Sequence, residues 1–160
     1  MQASSPPTAA PAPFTRRQLL AGAGGVGLCV VLRPAIAATG DLAVAIRTYT
    51  GGAQIRSGKV TLDVAELVDN GNVVPITVAV DSPMTATDYV KSIAVFNEKN
   101  PQRDVARFAF TPRSGKASAT ARIRLATSQQ LVAIAQLSDG SYWSHTVDVI
   151  VTLAACIETE

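Results

Sequence analysis

An all-β fold is the reading this sequence supports, and three observations carry it. From Gly58 onward, apolar residues recur at every second position rather than every third or fourth. Clusters of Gly, Pro, Asn, Asp and Ser interrupt that alternation at short, fairly even intervals. About seven strand-length runs fit between the interruptions, which predicts an antiparallel β-sandwich, immunoglobulin-like in architecture. The Cys…Trp…Cys hallmark of antibody domains is absent, so the expectation concerns architecture alone.

The elements follow in order. Residues 38–57 read as a lead-in, in which Thr39 to Asp41 cap a two-turn helix ended by Gly51-Gly52, with Leu42, Ile46 and Tyr49 on one side. Residues 58–153 hold the sandwich. Val60, Leu62 and Val64 alternate with polar neighbours as a half-buried strand. Asn70-Gly71 predicts a tight turn through residues with positive φ. Val74 to Val80 alternate again, and Pro75, which cannot donate to a ladder, predicts an exposed edge or a bulge there.

Tyr89–Phe96 and Asp104–Phe110 read as a hairpin across Asn97–Pro101, and Thr111–Gly115 turns the chain again. Ala119 to Leu125 alternate with Arg122 and Arg124 facing out. Leu131–Leu137 is apolar on both faces and is therefore expected at the centre of a sheet. Ser138–Ser141 is a turn, and Val147, Val149, Val151 and Leu153 are expected on the buried side of a last strand. That strand runs into residues 154–160, expected to be a flexible C-terminal arm.

The N-terminus reads differently. Arg16-Arg17 precede an uncharged, Gly-rich, weakly hydrophobic run from Ala21 to Leu32, and Ala35-Ile36-Ala37 offers an A-x-A cleavage site. This predicts a twin-arginine export signal over residues 1–37, removed after Ala37, and a periplasmic mature protein. The run is too short and Gly-rich to span a membrane comfortably. Leu28 is too bulky a neighbour for Cys29 to be a lipid-attachment site. Removing Arg16, Arg17 and Arg33 from 14 basic side chains leaves 11 against 12 acidic ones, a formal charge of about −1. That charge is no footprint for nucleic acid or for an anionic membrane.

Processing also removes Cys29 and leaves Cys156 as the one cysteine. It cannot close an internal disulfide, so in an oxidising compartment it stays free, carries an adduct or pairs with another molecule. Read from position alone, it is either a chemical handle on a mobile tail or a small apolar residue packed under the domain edge. Catalytic equipment is sparse. His145, the one histidine, is separated from Cys156 by eleven residues of mostly extended chain, roughly 35 Å if straight. It reads as a half-exposed structural side chain rather than a partner for the thiol. No Cys, His and carboxylate cluster has metal-ligand spacing, and no Gly-rich loop precedes a helix. Arg107, Arg122 and Arg124 read as solvated strand faces rather than as an anion site.

Several stretches resemble the SoxY sulfur carriers of bacterial thiosulfate oxidation. They are Val60–Asp63 with Glu66, Asn70–Val78, Asp81–Met84, Val90–Ile93, Phe110–Pro112 with Ser114–Ala117, and Ser138–Trp143, in the family's order from about 58 to 156. The resemblance implies an immunoglobulin-like sandwich paired with a smaller SoxZ subunit. It implies that Cys156 holds sulfur intermediates covalently and shows them to periplasmic enzymes of haem, manganese and molybdenum types. The chain itself would then be a carrier and not an enzyme, with the sulfur adduct its only expected group and no resident cofactor.

One place departs from the family. Its arm reads Gly-Gly-Cys-Gly-Gly, whereas this chain ends Ala154-Ala155-Cys156-Ile157-Glu158-Thr159-Glu160. Alanine and β-branched isoleucine are stiffer than glycine. The clustered carboxylates disfavour a thiolate and repel an incoming anion. These departures keep an alternative open: a non-carrier SoxY-like binding subunit in which Cys156 is vestigial or forms an intermolecular disulfide.

Overall fold

The computed structural model describes residues 40–155, so the expectations for the export signal, with Arg16 and Arg17, and for Cys156 to Glu160 lie outside the described residues. The first element, α1 (Gly40–Thr50), is one turn longer than the sequence indicates. Gly51 and Gly52 close it with φ of +62° and +80°, and the Gly52 N–H donates to the Arg47 carbonyl at 3.1 Å. Left-handed backbone of this kind is cheap for glycine, which is why the helix stops here. Leu42 is fully buried, while Ile46 and Tyr49 pack beside it half-buried.

Nine strands follow: β1 (Ile55–Ser57), β2 (Val60–Asp63), β3 (Leu67–Val68), β4 (Val74–Val80), β5 (Val90–Asn97), β6 (Asp104–Ala109), β7 (Ala117–Ile123), β8 (Gln129–Leu137) and β9 (Tyr142–Val151). The larger sheet runs β1-β9-β8-β5-β6, with β3 also on β9, and the smaller runs β2-β4-β7. The main core lies between the sheets, where alternate residues of β2 and β4 meet β5, β8 and β9. A second apolar cluster lies on the other face of the larger sheet, where α1 covers Ala94, Phe96, Val132, Ile134 and Tyr142. This explains the two-faced apolar run of β8. It is central, between β9 and β5, and is buried on one side by the small sheet and on the other by the helix. Pro75 sits where β4 has no neighbour on the β2 side, because that pairing stops at Thr77.

Four expectations need correction. Among the described residues the strands number nine rather than about seven, because β1 and β3, of three and two residues, are too short to show a period. Both pair with β9 in parallel, so the sandwich is not wholly antiparallel. Their origin is a detour: the chain leaves the β9 edge after β1, crosses into the small sheet as β2 and returns as β3. Leu153, expected on the buried side of the last strand, is 61% exposed, because β9 ends at Val151 and the chain turns. Finally, neither Asn70 nor Gly71 has a positive φ. The segment they form is not a hairpin but a passage from one sheet to the other.

Candidate functional site

Gly71 acts at the root of the C-terminal segment. Its N–H donates to the Leu153 carbonyl at 2.8 Å, and its carbonyl accepts from the Leu125 N–H at 2.8 Å. The Leu125 carbonyl in turn accepts from the Ala155 N–H at 3.2 Å. The end of β9 thus continues as an anchored strap. Thr152 donates its N–H to Val68 O at 3.0 Å and its hydroxyl to Asp69 O at 3.1 Å. Ala155 is buried, with 8% of its surface exposed. A side chain at position 71 would have no room: a Cβ there would meet the Leu125 carbonyl oxygen at 2.3 Å and the Ala155 nitrogen at 3.0 Å.

The loops that receive the strap are themselves fixed. Asn100 Oδ1 accepts from the Ala126 N–H at 2.9 Å and from Gln129 Nε2 at 2.8 Å, while its Nδ2 donates to Arg124 O at 2.7 Å. Buried Asn97 holds the β5–β6 loop, its Oδ1 accepting from the Asn100 N–H at 2.9 Å. On the other side of β9, Val151 donates its N–H to Ser128 Oγ at 2.8 Å. Three loops and the strap therefore meet at one end of the sandwich, and residue 156 is the next in sequence after the buried Ala155. The anchored chain runs two residues past Leu153, where the sequence reading starts the arm. Ala155 belongs to the anchorage, and its methyl occupies space that a glycine would leave empty.

The remaining residues singled out from the sequence lie apart from this end. His145 faces the small sheet, and its Nδ1 accepts the Leu62 N–H at 2.9 Å, which leaves the neutral ring's proton on Nε2. It ties the two sheets together, as a structural histidine should. Replacing His145 by alanine strands that amide between the sheets. The expected cost is about 1 kcal/mol, read as a lower urea midpoint without loss of any modification at Cys156. Arg107 is paired with Asp104 at 2.6 Å and lies 5.2 Å over the Tyr49 ring on the helix side. Arg122 and Arg124 lie on and just beyond β7 of the other sheet.

The groups whose acidity shifts are structural. Burial pushes the Tyr49 phenol up, and hydrogen bonds from the Ser141 hydroxyl and N–H pull the Asp139 carboxyl down. Among the described residues no three His, Cys, Asp or Glu side chains are placed to hold a metal ion. No described helix is long and apolar enough to cross a membrane. The sequence reading missed Gly71, Leu125 and Asn100 as supports of the arm. Asn70-Gly71 carried a signal, but one that local turn chemistry absorbs.

Comparison with known proteins adds the following. The model of a family described as sulfur oxidation protein SoxY matches residues 46–156. The solved sulfur carrier protein SoxY from Chlorobium limicola f thiosulfatophilum is similar over 70% of this chain and 96% of its own, with 29% identity and a TM-score of 0.60. A superoxide reductase (neelaredoxin) from Ignicoccus hospitalis shares the fold at 19% identity over 61% of this chain and 94% of its own, with a TM-score of 0.55. The superoxide reductase from Nanoarchaeum equitans does so at 14% identity over 60% and 100%, with a TM-score of 0.52. At those identities the last two speak for the fold alone. No curated protein matches the chain.

Proposed function

The chain belongs to the SoxY family of sulfur oxidation proteins, and from that premise we propose that it is a periplasmic carrier which holds sulfur intermediates covalently on the Cys156 thiol. The anchored strap is the observation that carries this reading. The described chain is fixed up to Ala155, and the sole thiol left after the expected processing follows directly in sequence, which supports a role in which the sandwich supplies a base for that thiol. The matched stretch ends on residue 156, which is consistent with that use.

In this reading residues 1–37 direct export and are removed, a SoxZ-type subunit pairs with the sandwich, and haem, manganese and molybdenum enzymes act on the bound sulfur. The carrier contributes the sulfur atom of Cys156 and its placement, and no resident cofactor. Alanine at position 155 in place of a family glycine then costs less conformational freedom than the sequence suggests, because Ala155 is built into the root. The carboxylates of Glu158 and Glu160 still oppose thiolate formation and slow loading.

The test is intact-mass spectrometry of the mature protein from the periplasm of cells given thiosulfate, with Cys156→Ser alongside. Discrete sulfur adducts that disappear on reduction and are absent from the variant are expected. An unmodified mass, or only a cross-linked dimer, would overturn the carrier reading. It would favour the SoxY-like binding subunit in which Cys156 is vestigial or an intermolecular disulfide site.

A further inference from the structure

The detour of the chain between β1 and β3 leaves a gap in the edge of β9. Gly58 and Lys59, with φ of +108° and +57°, turn the chain off that edge. The even-numbered residues of β9 point their backbone groups away from β8 and towards the gap side. At one end the Gly58 N–H bonds to Ser144 O at 3.3 Å, and at the other Ile150 N–H bonds to Glu66 O at 2.7 Å. Between them the N–H and C=O groups of Thr146 and Asp148 have no partner among the described residues. Residues 145–149 span about 16 Å of extended chain. The space beside them is a groove of about 580 Å³, floored by Leu62 and Val64.

We propose that this gap is a docking slot for an extended, basic segment of a partner polypeptide, which adds to β9 as the missing edge strand. Unpaired edge groups are templates for strand addition, and here β1 and β3 delimit a slot one strand wide and a few residues long. Charge selects the occupant. Glu66 and Asp148 line the groove, and no Lys or Arg does. His145 already spends Nδ1 on Leu62, and Asp148 Oδ1 takes only one neutral donor, Gln130 Nε2 at 3.1 Å. Beyond one end, Leu67 and Ile150 sit side by side, 60% and 59% exposed, and offer apolar contact to the body of the same partner.

This rests on the carrier reading for the choice of probe, a purified SoxZ-type subunit from the same cell. Thr146→Pro deletes an outward N–H while leaving the ladder to β8 to the odd-numbered residues. Asp148→Lys keeps the backbone and reverses the charge, and so covers the case in which the proline variant fails to fold. Each should weaken pairing at least ten-fold by calorimetry. In the wild type, hydrogen exchange at the Thr146 and Asp148 amides should be fast in the free chain and slow in the pair.

Variants that pair like the wild type, with those two amides still exchanging fast, would overturn the slot while leaving the partnership intact. A wild-type chain that does not pair would overturn both the slot and the SoxZ part of the function. The adduct measurement at Cys156 would then report independently on the carrier part. Protection that grows with concentration of the chain alone would assign the slot to a second copy and overturn the proposal as stated.

Discussion

Gly71→Ala should lower stability by about 2–3 kcal/mol, near the upper end of what overpacking costs, and should do so by disturbing one place. The new Cβ lands 2.3 Å from the Leu125 carbonyl oxygen and 3.1 Å from Val151 Cγ1, both fixed parts of the sheet end. The backbone at position 71 has no positive φ, so alanine's torsional preferences are not the obstacle; space is. Relief requires the 69–72 loop to move away, which stretches Gly71–Leu153 and Gly71–Leu125 and then Leu125–Ala155. For a domain of this size the melting temperature should fall by roughly 8–15 °C. Hydrogen exchange at Ala155 and Leu125 should rise well beyond that of β5 and β8. A melting temperature within a degree or two of wild type, with Ala155 still protected, would show that the strap does not depend on Gly71.

Phe96→Ala should cost more, about 3–5 kcal/mol, and its effect should fall on the opposite layer. Phe96 is 1% exposed and lies between β5 and α1, with its ring tilted against Tyr49 at a centroid distance of 5.7 Å. Truncation leaves a cavity bounded on one side by a stiff sheet and on the other by an 11-residue helix too short to be stable by itself. The helix is therefore the part that yields. Amides of Leu42 to Thr50 should lose protection at denaturant concentrations where β8 amides keep theirs. Uniform loss across helix and sheet would mean that α1 is an integral part of one cooperative unit.

The contrast between these two sites shows what the sequence could and could not disclose. Period-two alternation made β2, β4 and β7 legible, and the doubly apolar Leu131–Leu137 marked the central strand. It did not say that a helix covers the second face, although Leu42, Ile46 and Tyr49 supplied the stripe. β1 and β3 were invisible, since two or three residues carry no period and their pairing is decided by β9 far along the chain. Cys156, the proposed attachment point, stood out in the sequence as the one cysteine after the expected processing. The anchorage of the strap that precedes it did not, because Gly71, Leu125 and Ala155 meet only in space. Asn70-Gly71 has a strong local meaning that hides the non-local one, and Leu153 continued an alternation which the turn after Val151 ends.

If the chain acts as the carrier proposed above, partner proteins would pull on its C-terminal segment. β9 is hydrogen-bonded to β8 from Tyr142 to Val149 and is flanked on its other edge by β1 near its start and β3 at its end. Traction on the C-terminus would first load the Ala155–Leu125 and Gly71–Leu153 bonds and only then reach this strand, whose ladders share a force along the chain in shear rather than peeling apart one at a time. The parallel pairing of β3 and the bonds of Thr152 brace the end of β9 behind those contacts. In the proposed carrier role, an enzyme drawing on the tail would meet a sandwich whose ladders resist together, with β8 and β9 held as one unit.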